Sequence, residues 1–175
     1  NEALYLFNES CVLQDKVEAK PYWQEGDNTT KETMERNQFF GWQTSLTTWG
    51  TPKAKNSMGR GKPLSVGAGG SNVVGIGYQQ QEARVLIVEI QIQDGSSTQN
   101  DFIKLFNQST TTIADISGWQ LKKKTSGGSE SSIKIFDNGF NIQPQNYFIW
   151  MNFGYSITTT TKPDATTTQT ISSNN

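Results

Sequence analysis

"RVLIVEIQIQ", residues 84–93, decides the fold. Leu86, Val88, Ile90 and Ile92 alternate with Val85, Ile87, Glu89 and Gln91, a period of two that belongs to a strand and not to a helix. Both sets are largely apolar and rich in β-branched residues. The run is therefore expected inside a sheet, with the even-numbered set facing a core. Downstream, "DFIKLFNQS" (101–109) alternates Phe102, Lys104 and Phe106 with Ile103 and Leu105, and "ISGWQLKKK" (116–124) places Trp119 and Leu121 on one side. "SSIKIFDNG" (131–139) and "QNYFIWMN" (145–152) follow, separated by Gly, Asn, Asp and Pro. That punctuation is the spacing of a small all-β sandwich.

Upstream, "EALYLFNES" (2–10) puts Ala3, Tyr5 and Phe7 on one face and Leu4 and Leu6 on the other. "CVLQDKVEA" (11–19) continues from a turn at Asn8–Ser10, so the two segments read as a hairpin. Residues 21–56 are less regular. Trp23, Phe39, Phe40, Trp42 and Trp49, between Gly26, Gly41 and the Thr51-Pro52 turn, are expected to cover a sheet edge or an opening in the core. "NSMGRGKPLSVGAGGSNVVGIGYQQQEA" (56–83) then shifts to Gly, Ser and small apolar residues and reads as a linker.

Composition removes whole classes of function. A chain of 175 residues suits a single core, and a formal net charge of -1 supplies no field to attract nucleic acid or an anionic membrane surface. No apolar run is long enough for a transmembrane helix. The absence of histidine rules out Ser-His and Cys-His nucleophile systems, and a single cysteine, Cys11, allows neither an internal disulfide nor a thiolate metal cluster. Cys11 is expected to be a small packing residue at a turn. "GAGGSNVVGIG" (67–77) lacks the Gly-Lys-Ser/Thr of a phosphate loop and precedes no helical pattern.

Asp94, Asn100 and Asp101 carry ligand oxygens, but their spacing is not that of a calcium loop and turns favour the same residues. The basic run Lys122, Lys123, Lys124 is expected at a solvated hairpin end, and Glu35-Arg36 as a structural ion pair. "SITTTTKPDATTTQT" (156–170) reads as an exposed loop, and Asn8, Asn28 and Asn107 open Asn-x-Ser/Thr glycosylation triplets. No catalytic residue, metal or cofactor is expected, and the chain does not read as an enzyme.

Taken in order, "VLIVEIQIQDG", "NDFIKLFNQS", "DISGWQLKK" and the Gly-Phe-x-Ile-x-Pro at Gly139–Pro144 make residues 85–150 resemble the lamin-tail domain. That family is an immunoglobulin-like β-sandwich found also in bacterial secreted and surface proteins, with "EFIELYNPS" and "DLSGWxLxx" at the corresponding places. Lys104 stands where the family usually has Glu, Gln108 where it often has Pro, and Glu89 one place off its common Asn-Glu pair. Beyond the strand near Trp150 the family continues with a loop, strands like "EALYLFNES" and "VLQDKVEA", and an ending like "MERN…WQTS…GTPKAKN". Here those closing elements stand in front, at residues 3–56.

The resemblance thus implies a permuted order: residues 1–56 as the C-terminal portion of a sandwich, 57–84 as linker, and 85–175 as the N-terminal portion. The chain, opening at Asn1, reads as a processed product or a piece of something larger. Three arrangements are open. The two portions close on each other as a monomer, residues 1–56 complete the sheet of a neighbouring copy, or the chain is a window on a tandem array. Donating such a hairpin with about eight large apolar side chains supplies on the order of 12–24 kcal/mol of gross transfer energy. The expectation is therefore a homopolymer outside the cell or on its surface, joined head to tail by strand complementation, without nucleic-acid binding or membrane insertion. Leu4, Leu6, Val12, Val17, Trp42, Leu86, Val88, Ile90, Ile103, Leu105 and Trp119 are expected at the assembly interface. The alternatives are a monomeric adhesion or ligand-binding module and an accessory domain of a larger secreted protein.

Overall fold

A computed structural model of the chain describes residues 2–19, 22–58, 84–92, 100–155 and 162–171. Among these, all regular structure is strand, as the period-two patterning and the β-branched content dictate. The first portion supplies β1 (Ala3–Phe7), β2 (Leu13–Glu18), β3 (Glu32–Arg36) and β4 (Trp42–Thr48). The second supplies β5 (Val85–Gln91), β6 (Phe102–Asn107), β7 (Ala114–Asp115), β8 (Gln120–Lys124), β9 (Glu130–Ile135), β10 (Asn141–Ile142), β11 (Tyr147–Asn152) and β12 (Ala165–Thr167).

Two sheets form the layers, one ordered β2-β1-β8-β9 and the other β12-β11-β6-β5-β3-β4, with β7 and β10 pairing separately. Each large sheet draws strands from both portions. They meet at two seams within the same chain. In the first, β1 runs antiparallel to β8 from Ala3↔Lys124 to Phe7↔Gln120. In the second, β3 meets β5 at Met34↔Ile90 and Glu35↔Glu89.

The core lies between the sheets, as expected for a sandwich. Leu4, Leu6, Val17, Leu121 and Ile133 from one sheet pack with Met34, Val85, Ile87, Ile90, Ile103, Leu105, Phe148 and Trp150 from the other. Phe136, Phe140 and Phe148 fill one end edge to face, with centroids 5.3 to 6.3 Å apart. In the first hairpin the alternation holds. Leu4 and Leu6 are fully buried, while Tyr5 and Phe7 stack 6.0 Å apart on the other face.

In β5 the expected alternation fails at one place. A bulge between Ile87 and Glu89 leaves Val88 unpaired, so the side facing the core switches from odd to even: Val85 and Ile87 point in, then Ile90. Leu86 and Val88 are buried but lie outside the core cluster. Three further expectations are corrected. Cys11 is exposed in a left-handed turn conformation and does not pack. The lysine run occupies β8, an interior strand, where Lys122 sits over the Phe7 ring and Lys123 donates to the Thr170 carbonyl. Part of the Thr-rich stretch is a strand, β12, which runs parallel to β11. Residues 59–83 of the linker, Asp94 and residues 156–161 lie outside the described residues.

Candidate functional site

The second seam is held by side chains where the backbone ladder stops. Beyond Glu35↔Glu89, where the β3–β5 pairing ends, Arg36 Nε donates to the Ile87 carbonyl (2.7 Å) and Asp15 Oδ2 accepts from the Ile87 amide (2.9 Å). Asn56 Nδ2 donates to the carbonyls of Arg36 (2.8 Å) and Val88 (2.9 Å), standing in for the missing rungs. Arg36 also grips both Asp15 oxygens at 3.0 and 3.1 Å, which ties β2 to β3. Arg36 therefore pairs with Asp15 and not with its neighbour Glu35.

Glu35 belongs to a second group on the outer face of the six-stranded sheet, beneath the loop from Trp49 to Ser57. Glu35, Glu89 and Lys104 have 0% exposure. Cross-strand pairing sets Glu89 directly opposite Lys104, and their charged ends are in contact. Glu89 Oε1 accepts from Thr33 Oγ1 (2.6 Å) and the Thr51 amide (2.8 Å). Lys104 Nζ donates to the carbonyls of Thr51 (2.8 Å) and Ala54 (3.1 Å). Glu35 accepts from Gln43 Nε2 at 3.0 Å and from the amide and hydroxyl of Ser57.

Thr51 Oγ1 stands at the centre, 3.1 Å from Lys104 Nζ, 3.2 Å from Glu89 Oε2 and 3.4 Å from Glu35 Oε2. Burial pulls the Lys104 amine below the usual lysine range, and the two carboxylates oppose that pull. The loop approaches so closely because it carries Gly50, whose φ is +71°. A Cβ there would stand 2.1 Å from Glu89 Oε1 and 2.6 Å from Thr33 Oγ1.

The residues expected at an assembly interface divide into four groups. Leu4, Leu6, Val17, Ile90, Ile103, Leu105 and Trp119 come together in the core. Trp42 packs on its margin with the Arg36 guanidinium 4.5 Å above its ring, and Leu86 and Val88 are buried elsewhere. Val12 is 55% exposed in the hairpin turn. Of the aromatic anchors, Trp23 and Trp42 pack on the core, whereas Phe39 and Phe40 stand exposed. A shallow groove of about 270 Å³ lies beside β2, lined by Lys16, Val17, Glu18, Gln24 and Trp42.

Among the glycosylation triplets, Asn107 is corrected. It is fully buried, and its amide donates to the carbonyls of Thr112 (2.8 Å) and Ile142 (2.9 Å), so no glycan fits on the folded chain. Asn28 is exposed, and Asn8 is half-buried, its side-chain oxygen accepting from the amides of Ser10 and Val12. Asp101 is buried and accepts from the Ile171 amide at 2.6 Å. Among the described residues no three metal-ligating side chains gather.

Sequence reading missed the Glu35, Glu89, Lys104 and Thr51 group, although a signal was present. Glu89 and Lys104 are opposite charges set in two otherwise apolar strands, and a buried charge needs a partner. No family model, no curated protein and no solved structure matches the chain.

Proposed function

We propose that the chain is a non-enzymatic structural subunit of an extracellular filament or surface polymer, assembled head to tail by strand complementation between lamin-tail-like sandwiches. One observation carries the reading. Among the described residues the two portions meet through noncovalent contacts, centred on two strand seams, β1 with β8 and β3 with β5, and the chain passes from one portion to the other through residues 59–83. Every seam contact within one chain can therefore be made identically by the first portion of a neighbour. Chain statistics for a Gly/Ser-rich sequence of this length give a span of roughly 30 Å, enough to reach back onto the same sandwich or across to the next. The family assignment rests on the ordered motif series of residues 85–150 and its closing elements at 3–56, and the extracellular placement rests on that resemblance.

A second reading, a monomeric binding module, draws support from the pairing of both seams within one chain. A cross-link at the first seam separates the two. Tyr5 and Lys122 are Cα partners across β1 and β8, so Tyr5→Cys with Lys122→Cys, in a Cys11→Ser background, places two thiols within reach. After oxidation at high protein concentration, the filament reading expects a ladder of covalent oligomers on a non-reducing gel. A product that stays monomeric at every concentration overturns it and leaves the binding module.

A further inference from the structure

We propose that the Lys104 amine and the Glu89 carboxyl condense to an isopeptide bond, a covalent cross-link between β5 and β6 that forms when the loop carrying Thr51 closes over them. The nucleophilic nitrogen already touches the carboxyl group, and both side chains are wholly removed from solvent. A single hydroxyl, Thr51 Oγ1, stands 3.1 to 3.4 Å from the amine, the reacting carboxyl and a second buried carboxylate, that of Glu35. This is the set that amide formation needs: nucleophile, electrophile and a proton carrier linked to both.

The step balances without an added reagent. Proton exchange within the ion pair gives a neutral amine and a carboxylic acid. The Nζ lone pair attacks Cδ of Glu89 and the Nζ–Cδ bond forms. Glu35, acting through the Thr51 hydroxyl, takes a proton from Nζ and returns it to the departing oxygen of Glu89. The Cδ–O bond breaks and one water leaves, so an ammonium and a carboxylate become an amide and water with no change of oxidation state.

Three physical terms favour the reaction. Positioning replaces a bimolecular encounter with an intramolecular one. Desolvation costs the ion pair more than it costs a neutral amide, so condensation relieves the burial of two charges. The same burial lowers the basicity of Lys104 and so exposes its lone pair. The inference does not depend on the polymer reading. Glu89 and Lys104 lie in one portion while Glu35 and Thr51 come from the other, so the bond requires a completed sandwich, whether its closing portion is its own or a neighbour's.

The test is the intact mass of the purified, folded full chain after prolonged incubation, followed by tryptic mapping. The expected result is a mass lower than that of the sequence by one water. Trypsin should no longer cut after Lys104, so that residues 85–122 emerge as one dehydrated peptide. Glu35→Gln keeps the size and one oxygen that can still accept from Ser57, while removing the proton acceptor. It should fold and form the bond roughly 100-fold more slowly. Lys104→Arg keeps the cation without the amine and should show no loss of water. An unshifted mass in the folded chain, or a loss of water that persists in Lys104→Arg or accompanies normal cleavage after Lys104, overturns the proposal.

Discussion

At Gly50 the requirement for one residue type is twofold. Its φ of +71° lies in the left-handed region, and the space a Cβ would fill is already held by Glu89 and Thr33. Gly50→Ala is therefore expected to lower stability by at least about 2 kcal/mol, combining backbone strain with overpacking, read as a shift in urea midpoint at constant slope. Asp15 allows a second prediction at this scale. Its carboxylate serves both Arg36 and the Ile87 amide, so Asp15→Ala strands a largely buried guanidinium and an amide; a loss of about 3 kcal/mol in the same measurement is expected. Asp15→Asn, which retains a hydrogen-bonding oxygen, should lose less. Neither role was legible in the sequence. Asp15 lies in a polar-looking strand, and nothing local announces that its partners are β3 and β5. Lys104 and Glu89 did stand out against apolar neighbours, but their pairing depends on a register that the Val88 bulge resets.

Individual strands were far more readable than the contacts between them. The alternation of Leu4 and Leu6 with Tyr5 and Phe7 held along β1, because each residue obeys one simple period. In β5 the even-numbered set expected to face the core does so only after the bulge, at Ile90 and Ile92, while Val85 and Ile87 take that side before it, since one inserted residue reverses every later side chain. The lysine run failed as an edge signal for a different reason: the Lys122 ammonium sits over the Phe7 ring and that of Lys123 donates to the Thr170 carbonyl, giving charged heads partners in an interior strand. On the outer side of β11, Tyr147 and the following Tyr155 are raised above the usual tyrosine range, mainly by burial and secondarily by Glu89. In the unfolded chain they lose their protons near the ordinary value of about 10, so the unfolded state binds fewer protons and stability falls as pH rises past that point. Lys104, if still a free amine, acts oppositely, since its folded value is lowered. Tyr147→Phe with Tyr155→Phe should therefore flatten the fall in unfolding midpoint above about pH 10.

For the whole molecule, the decisive feature is that each large sheet joins two portions of the chain separated by one connection. If copies exchange portions, thermal stability must depend on protein concentration, because association adds to the folded state by mass action. Calorimetric midpoints that rise over a hundred-fold range of concentration are expected; a constant midpoint supports closure within each chain. Leu4→Asp with Leu6→Asp places two carboxylates where the core has no partner for them, and should abolish oligomers and cooperative unfolding together. All-β class and sandwich architecture were readable from turn spacing and alternation, whereas the seams were not, since pairing of residues so far apart in sequence leaves no local trace.

The place of β1 in its sheet also bears on time. It lies between β2 and β8, so its partner on one side follows within a few residues while the other is made only after most of the chain. Such non-local pairing raises contact order, and folding is expected on the millisecond-to-second scale of all-β domains. During synthesis Leu4 and Leu6 must wait, their hairpin open along one edge, until residues 120–124 emerge. For that interval the nascent chain presents a strand seeking a partner, and in a crowded cell the first β8 it meets can belong to another molecule.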